Sequence, residues 1–512
     1  MTQKDSQESS EQIEQRRIAA MQPSPEDLQE PLSEPVGAIR SGSLAGKSMS
    51  GAIWILAMPI LVQQILVACV GLADKMFAGA LPDNIVLPAL DAIGIGSYIG
   101  WFIAIAVSGV GVGGQALIAR AMGSGRETMA SEVLGQSIVL AGLWGLVVGA
   151  GLWFVAEPLG VVCQLSGASK IYLVQYIHIL ALSMPLCSIM TTGSMALHGS
   201  GDTLRPAIVT LFVNLVNIIV SWIMSGADVR FGECIWHNPF SWDLHVVGIA
   251  LGTAAAYIVG GVLIIGVLVR GVKDLQLKLK DLVPRPSVFW RIARIGIPSF
   301  LEGLSMWSAN LFVLYFIGQI SVKLVKETNE TVVQGLQGAH VIGIQWEAFS
   351  FLPGFAIGTA AGALAGQYLG AGNIKDARKS TLICALLAML FMGTMGLGMI
   401  FGGEFLTSII SNNPMHLAVV PKLLLIAGVT QLGFAVMMVI RQSLKGVGDT
   451  MWTFLITTFS SWGLRIPAAW YLGVHLDYGL VGIWYALCGE MVIRAVLFSI
   501  RFFQGGWARK NI

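Results

Sequence analysis

The sequence predicts an all-α polytopic membrane protein in which twelve transmembrane helices form two six-helix bundles related by a pseudo-twofold axis. The first observation is composition: 55% of the 512 residues are apolar and 12% are charged, with a mean hydropathy of +0.73, whereas soluble domains carry about 25% charged residues. The second is that the apolar residues form long uninterrupted blocks. The third is that segments of the first half recur in the second half.

The apolar blocks number twelve, and each can cross about 30 Å of hydrocarbon at about 1.5 Å per residue. Gly is frequent, at 61 residues, which suits the close approach of helix backbones in lipid. The predicted helices cover residues 52–80, 92–118, 132–156, 171–197, 206–226, 246–269, 295–319, 338–365, 381–402, 421–444, 453–473 and 479–500.

Lys and Arg residues set the expected orientation. With the N-terminus inside, most of the 31 basic residues fall in the tails and the inward loops, as the positive-inside rule requires. We therefore expect a multi-pass protein of the cell inner (plasma) membrane with both termini in the cytoplasm. The expected divisions are a disordered cytoplasmic tail 1–48, an N-terminal lobe 49–270, a cytoplasmic linker 271–294, a C-terminal lobe 295–505 and a cytoplasmic tail 506–512.

An internal repeat supports the two lobes. Residues 197–203 (LHGSGDT) recur as 444–450 (LKGVGDT), and residues 123–125 (GSG) recur as 370–372 (GAG) at the same offset. Six helices in each half give both halves the same direction across the membrane, so the symmetry axis runs along the membrane normal. Such a pair of lobes leaves a cleft that can open to either side.

Carboxylates inside the predicted helices are the candidate functional residues. An ionised carboxylate at the bilayer centre costs about 2.5–3.5 kcal/mol on insertion scales, so such groups persist where they face a cavity. Asp74 shares a helical face with Gln63, and Glu302 takes the position of Gln63 in the repeat. We expect Asp74, Glu302 and Glu347 to bind the coupling ion.

Alternatives remain open for each acid. Asp74 could pair with Lys75 or cap a helix near the outer surface. Glu302 and Glu347 could form one polar cluster, the hypothesis we prefer, or be paired separately. Glu490 could face the cleft or pack between helices, and a structural ion pair is the better interpretation of the intramembrane Arg465.

The predicted substrate cavity combines amide, aromatic and Met side chains. Amides could support a buried acid, aromatic faces attract organic cations, and Met adapts to varied shapes. Packing between helices is the competing explanation for every one of these residues. The predicted cavity residues are Gln63, Asn214, Asn217, Trp307, Gln345, Trp346 and Met437.

Ordered motifs identify a family. They are VGLAD at 70–74, GxGDT in both inner turns, GIP at 296–298, WEAFSFLP at 346–353, GQYLGAG at 366–372 and LRIP at 464–467. With these motifs the chain resembles bacterial multidrug and toxic compound extrusion (MATE) transporters from about residue 50 to 505. The resemblance implies export of organic, often cationic, compounds against an inward flow of protons or sodium ions. Ser221 stands where many members carry Asp, which leaves the coupling ion open.

Three function classes compete. The first is a proton- or sodium-coupled antiporter that exports organic cations. The second is a flippase for lipids or lipid-linked precursors, which would favour a larger basic cavity and two extra helices, neither of which the sequence indicates. The third is a membrane enzyme, disfavoured because HExxH, GxSxG and Walker-type motifs are absent.

The expected ligands follow from the antiporter hypothesis. The chain should need no cofactor and no metal, apart from H+ or Na+ as the coupling ion, with Na+ left open at Asp74 or at Glu302 and Glu347. Its partners should be small organic molecules and the lipid bilayer, not nucleic acid, and we expect a monomer. A disulfide between Cys163 and Cys234 stays open, because no spacing rule decides it.

Overall fold

The computed structural model describes residues 38–163, 165–231, 234–240, 242–328 and 335–509. Six long helices make up the first half, and their ends coincide with polar or Gly-containing turns. These helices are α1 Met49–Gly79, α2 Asp83–Gly123, α3 Glu127–Val162, α4 Gly167–Ser200, α5 Leu204–Ser225 and α6 His245–Arg270.

The second half repeats this order with one addition. A short helix, α10, lies between the third and fourth long helices of this half. The helices are α7 Pro286–Thr328, α8 Leu336–Gly370, α9 Ile374–Phe401, α10 Gly403–Ile410, α11 Pro414–Gly446, α12 450–475 and α13 Gly479–Gln504.

All twelve predicted helices are confirmed. In the described part of the chain, eleven helices are long and apolar enough to cross a membrane. The twelfth, α12, is divided: Thr450–Thr458 and Ile466–Ala469 are α-helical, whereas Phe459–Arg465 and Trp470–His475 are π-helical. The observed helices are longer than the predicted ones, mainly because they continue past their apolar blocks into polar residues.

Small elements occupy two of the loops. Strands β1 Val229–Phe231 and β2 Cys234–Trp236 form an antiparallel hairpin between α5 and α6. A 3₁₀ turn, Leu279–Leu282, lies in the linker between the halves. Cys163 is a free thiol whose partial burial raises its pKa, and the side chain of Cys234 lies outside the described residues.

The two halves share one packing plan. The second helix of each half packs against the third and fourth, and the fourth packs against the sixth. The first two helices of each half also form the contact between halves, through α1 with α8, α2 with α7 and α2 with α8. Pseudo-twofold symmetry therefore places the start of each half at the boundary between the two bundles.

The repeated turns have the same backbone geometry. Gly201 and Gly448, in the turns that follow α4 and α11, have φ of +88° and +79°, and Gly125 and Gly372 have φ of +75° and +78°. Gly adopts this left-handed region without steric cost, which explains why Gly recurs at both sites. We call the end of the molecule that carries these four turns the inner end, and the opposite end the outer end.

The predicted disordered tail needs correction near its end. Residues 39–48 were assigned to it, but Ser41 Oγ donates to Met122 O at 2.8 Å and Gly42 N donates to Asp274 Oδ2 at 2.8 Å. Leu44 is 1% exposed and packs within a core cluster formed by α1 and helices of the second half. The segment 39–48, which we call the N-terminal strap, therefore bridges both halves at the inner end; residues 1–37 lie outside the described part.

Candidate functional site

Asp74 lies in a polar centre of the first half. It belongs to α1, is 5% exposed, and accepts hydrogen bonds from Asn217 Nδ2 at 3.3 Å and Thr253 Oγ1 at 3.1 Å. Asn217 Nδ2 also donates to Thr253 Oγ1 at 3.1 Å. The three side chains come from α1, α5 and α6, so a single carboxylate is held by neutral donors from two other helices.

One buried oxygen of this centre has no described hydrogen-bond donor. Asn217 Oδ1 is buried and accepts no hydrogen bond from a described residue. Carboxylate and amide oxygens are the ligands that hard cations prefer. Tyr176 and Tyr257 lie within electrostatic range of Asp74, so two phenol groups stand near the same carboxylate.

The structure decides among the alternatives for Asp74 and its amides. The side chain of Lys75 is exposed, and the hydrogen bonds of Asp74 go to Asn217 and Thr253 instead. Asn214 is buried but donates to Thr210 O at 3.0 Å, one turn earlier on α5. Gln63 Oε1 is also buried without a described donor. Support of Asp74 by Asn217 is thus observed, whereas Asn214 makes a local helix contact.

Glu302 lies at the inner end of the second half and is fully buried. Arg441 Nε donates to Oε1, and Lys445 Nζ lies 2.9 Å from Oε2. Thr453 Oγ1 and Thr457 Oγ1 donate to the two oxygens at 3.1 Å each. Two cations and two hydroxyl groups therefore satisfy this carboxylate, which makes it unlike the neutral centre of Asp74.

Glu490 forms a second ion-pair group in the middle of the helices. Its oxygens accept from Arg465 Nη2 at 2.8 Å and from Arg494 Nε at 2.7 Å. Arg465 Nη1 also donates to Asn310 Oδ1 at 2.9 Å, and Arg494 Nη2 donates to Ser461 Oγ at 2.9 Å. The ion pair expected for Arg465 is present, and Glu490 is its partner.

Glu347 shares no described hydrogen bond or ion pair with Glu302. It lies on α8 within electrostatic range of Arg465, whereas Glu302 pairs with Arg441 and Lys445. The joint cluster of Glu302 and Glu347 stays a prediction. Gln345, two residues earlier on α8, is exposed.

The predicted aromatic and Met cavity residues have mixed surroundings. Trp307 of α7 meets Phe102 of α2 across the boundary between halves, with ring centroids 5.7 Å apart. Trp346 Nε1 donates to Leu406 O at 3.1 Å. Met437 is 3% exposed and belongs to a core cluster. Trp307 is thus the aromatic candidate that lies at the boundary, whereas Met437 lies in a buried apolar cluster.

The two halves are closed against each other at the inner end. Gln367 Nε2 of α8 donates to Gly199 O of α4 at 2.7 Å, and Arg120 Nη2 of α2 donates to Val447 O at 2.8 Å. Gly123 lies directly against the backbone of Gln367, where a Cβ atom would not fit. These side-chain and backbone contacts block passage between the halves from the inner end.

The sequence did not indicate several of these functional neighbours. By sequence, Arg441 and Lys445 belong with the inner-loop charges, and Thr253 is one hydroxyl among many in apolar helices. One signal could have found Lys445: it stands in the repeated turn where the first half has His198. A Lys at this inner turn, together with the acid Glu302 inside a helix of the same half, is the pattern of a buried ion pair.

Comparisons with known proteins agree with this architecture. The MatE family model matches residues 59–223 and 298–471, one segment in each half. The probable multidrug resistance protein NorM of Thermotoga maritima is 25% identical over 459 residues, which cover 89% of this chain and 93% of that protein. The multidrug resistance protein PmpM of Pseudomonas aeruginosa is 24% identical over 455 residues, covering 87% and 89%.

A solved structure shows the same fold. A MOP superfamily transporter from Pyrococcus furiosus, described as having a binding pocket of reverse polarity, superposes with a TM-score of 0.79 at 18% identity. The superposition covers 94% of this chain and all of that one. The two-bundle arrangement is therefore shared at low sequence identity.

Proposed function

This chain belongs to the MatE family of multidrug and toxic compound extrusion transporters, and from that premise we propose that it is an ion-coupled antiporter. It exports organic, cationic drugs or metabolites while protons or sodium ions flow inward, by alternating access between its two halves. The ion is a co-substrate, no cofactor takes part, and no enzymatic step is included. The working unit is a monomer in the inner (plasma) membrane, with both termini in the cytoplasm.

The Asp74 centre is the observation that supports this proposal most strongly. Glu302 and Glu490 are each held by two cations, so taking up a further cation would first require breaking an ion pair. Asp74 receives its hydrogen bonds from neutral Asn217 and Thr253. Binding a proton, a sodium ion or a cationic compound neutralises the charge of such a carboxylate. Binding one of them excludes the others.

Of the three carboxylates expected to bind the coupling ion, we therefore favour Asp74. Glu347 remains a second candidate. Glu302 is proposed as a structural and charge-setting residue of the second half. Gln63, Asn214 and Asn217 remain proposed cavity or ligand groups, since each presents a buried oxygen without a described donor.

The moving bodies are proposed to be the lobes 49–270 and 295–505, joined by the linker 271–294. The linker is fixed to α3, because Gln136 Nε2 donates to Asp281 O at 2.6 Å and to Val283 O at 2.7 Å. Gln136 Oε1 accepts from Arg285 N at 2.7 Å. The linker therefore moves with the N-terminal lobe, and the hinge falls after residue 285.

A second candidate function, a lipid flippase, gains one observation from the structure. The sequence did not indicate a basic cavity, yet Arg441, Lys445 and Arg494 lie inside the second half. A lipid phosphate could bind such cations. Translocation of headgroup-labelled lipid by the reconstituted protein would favour the flippase, whereas the antiporter proposal expects none above protein-free vesicles.

Efflux from cells tests the antiporter proposal. Cells that express the chain are loaded with a cationic dye, and the proton and sodium gradients are removed separately and together with ionophores. We expect efflux to stop when both gradients are absent and to continue with one of them alone. Undiminished efflux without either gradient would refute ion coupling.

A further inference from the structure

An apolar groove lies on the surface of the second half, between α9 and α13. Both of these helices pack against α11, whereas α9 and α13 do not form a packed pair in the described chain. The helix α11 therefore forms the floor of the groove, which encloses about 620 Å³. Its apolar lining includes Met389, Leu432, Val436, Val496, Ile500 and Phe503.

The groove has about the length of one lipid leaflet. Its α13 wall runs from Val492 to Gln504, about 18 Å at a rise of about 1.5 Å per residue. Half of a hydrocarbon core of about 30 Å is about 15 Å. Side chains of this wall face away from the bundle, since Val496 is 53% and Phe503 is 58% exposed. The groove therefore faces lipid and can hold one acyl chain along its length.

Arg378 of α9 lies where the groove reaches the inner end of the molecule. A Cβ atom placed on Gly505, the residue after Gln504, would lie 2.5 Å from Arg378 Nη2. The guanidinium carbon of Arg378 lies 5.9 Å from the ring centre of Trp507. Trp507 is fixed in turn, because its Nε1 donates to Phe502 O at 2.8 Å. These contacts hold the guanidinium group at the inner end of the groove.

The guanidinium group of Arg378 has no acceptor among the described residues. None of them forms a hydrogen bond or an ion pair with it, although its Nε is buried. Arg501, near the end of α13, shows the contrast: its Nε donates to Asp449 Oδ2 at 2.8 Å. A buried donor without an acceptor is unfavourable, so a ligand that supplies an acceptor would bind favourably here.

The two segments that meet at the inner end of the groove are basic. Lys375 and Lys379 of α9 and Arg509 after α13 are exposed. The acid of this α9 turn, Asp376, already accepts from Asn373 Nδ2 at 2.7 Å. With the inner end in the cytoplasm, as proposed above, the cations face the leaflet that carries anionic lipids. Basic pockets between transmembrane helices on that side bind anionic headgroups.

The internal repeat shows that the cation is particular to the second half. Ser131 of α3 takes the position of Arg378, at the offset that relates residues 123–125 to 370–372. The linker serves this position in the first half, because Gln276 N donates to Ser131 Oγ at 3.4 Å. The equivalent position of the second half carries a cation without such a partner.

A phosphate matches the donors of Arg378, because a guanidinium group binds it through two parallel hydrogen bonds. We propose that the groove between α9, α11 and α13 binds one acyl chain of an anionic phospholipid, and that Arg378 binds the phosphate of this lipid. The lipid is a bound ligand of the C-terminal lobe and is not transported. The main contacts between the halves belong to other helices, α1, α2, α7 and α8.

Three lipids with identical acyl chains test the proposal. Phosphatidylglycerol is anionic, phosphatidylcholine keeps the phosphate but adds a cation beside Lys375 and Lys379, and diacylglycerol lacks the phosphate. Each lipid is titrated into detergent micelles of the purified full-length protein, and bound lipid is counted by native mass spectrometry. Hydrogen bonds to charged groups predict that one phosphatidylglycerol binds about tenfold more tightly than either of the others. Equal affinities for phosphatidylglycerol and diacylglycerol, or for phosphatidylglycerol and phosphatidylcholine, overturn the proposal.

An arginine variant separates phosphate binding from a packing role. In Arg378→Gln we expect phosphatidylglycerol to bind within about twofold of diacylglycerol, while diacylglycerol binds as it does to the parent. Unchanged diacylglycerol binding shows that the groove is intact. Arg205→Gln, at an exposed ion pair with Asp202, is the control and should change neither affinity. A preference for phosphatidylglycerol that persists in Arg378→Gln, or equal losses for both lipids, overturns the assignment of Arg378.

A second variant tests the groove without touching Arg378. Val496→Trp places a large side chain in the groove, so we expect binding of phosphatidylglycerol and diacylglycerol to fall together by about tenfold. Val262 of α6 is the repeat equivalent of Val496, because VGI at 247–249 matches VGI at 481–483. It is 57% exposed, so Val262→Trp is the matched control and should bind both lipids as the parent does. Unchanged binding in Val496→Trp overturns the groove as the site.

A second copy of the chain is the other apolar occupant that the same spectra detect. A dimer that is lost in Val496→Trp and kept in Val262→Trp would overturn the proposal in favour of an interface between copies. Lipid binding in micelles depends neither on the orientation in the membrane nor on ion-driven export. This test and the efflux test can therefore fail separately.

Discussion

Among single residues, the contrast between Asp74 and the two buried glutamates organises the molecule. All three are acids in apolar helices, and their positions in the sequence gave no way to rank them. The structure surrounds Glu302 and Glu490 with cations and gives Asp74 only neutral hydrogen-bond donors among the described residues. Our proposal therefore places ion exchange at Asp74 in the first half and gives Glu302 and Glu490 structural roles in the second.

Replacing Asp74 tests this assignment. In Asp74→Asn the amide cannot carry the charge that a proton or sodium ion neutralises, so we expect gradient-driven dye export to fall by about tenfold or more. Membrane insertion and the thermal midpoint should stay near those of the parent. Asp477→Asn, in a surface pair with Lys323, is the control and should export normally.

Glu490→Gln should act on stability instead. The change leaves Arg465 and Arg494 buried without their common carboxylate, and breaking a buried pair in this way costs about 3–5 kcal/mol. A large drop in the thermal midpoint of the detergent-purified protein is therefore expected. Asp477→Asn again serves as the comparison, because an exposed pair contributes about 0–1 kcal/mol. Equal midpoints for the two variants would contradict a structural role for Glu490.

Among the helices, α12 shows what apolar patterning predicts and what it does not. Its existence follows from a long apolar block, but its two π-helical segments do not. Arg465 and Ser461 lie in the first of them, where they reach Glu490 and Arg494. Helix position and number were predictable because they depend on hydropathy. The partners of Arg465 were not, because they depend on which face of each helix turns inward.

The N-terminal strap gives a second example. Its Ser- and Gly-rich composition predicted a tail, because one Leu and one Ile form no apolar run. Yet Gly42 has φ of +86°, and its position would place a Cβ atom 2.8 Å from Ser200 O. The strap is recognisable only once the inner ends of α2 and α4 and the linker have come together around it.

The strap should hold the inner end closed. Leu44→Ala removes a buried side chain, a change that typically costs about 2–5 kcal/mol. We expect faster amide hydrogen exchange at residues 199–203 and 446–449 in this variant. Leu279→Ala, at a position 87% exposed, is the control. Unchanged exchange in Leu44→Ala would show that the strap does not contribute to closure.

For the whole molecule, the two halves are equivalent in backbone and different in chemistry. The matching Gly turns and the matching helix contacts establish the first point. The neutral hydrogen-bond donors around Asp74 in one half and the ion pairs of Glu302 and Glu490 in the other establish the second. Contacts at the inner end, such as Gln367 with Gly199, close the boundary on that side. An alternating-access cycle requires these contacts to separate.

Gly123→Ala should favour that separation. A Cβ atom on this residue would meet the backbone of Gln367 in the other half, so the closed inner end becomes less stable. Spin labels at Arg126→Cys and Lys375→Cys, on equivalent inner turns, report the distance between halves by pulsed electron resonance. A longer-distance population should grow in Gly123→Ala. Gly151→Ala, where nothing lies within 4 Å of the added atom, should leave the distribution unchanged.

Transport in reconstituted vesicles tests the central claim most directly. Vesicles loaded with a cationic dye are given a proton gradient alone, a sodium gradient alone, or neither, with the parent chain and with Asp74→Asn. The account predicts that one gradient drives dye release, that reversing it drives dye uptake, and that Asp74→Asn loses both effects. Equal dye movement under all three conditions, or full gradient-driven movement in Asp74→Asn, would contradict it.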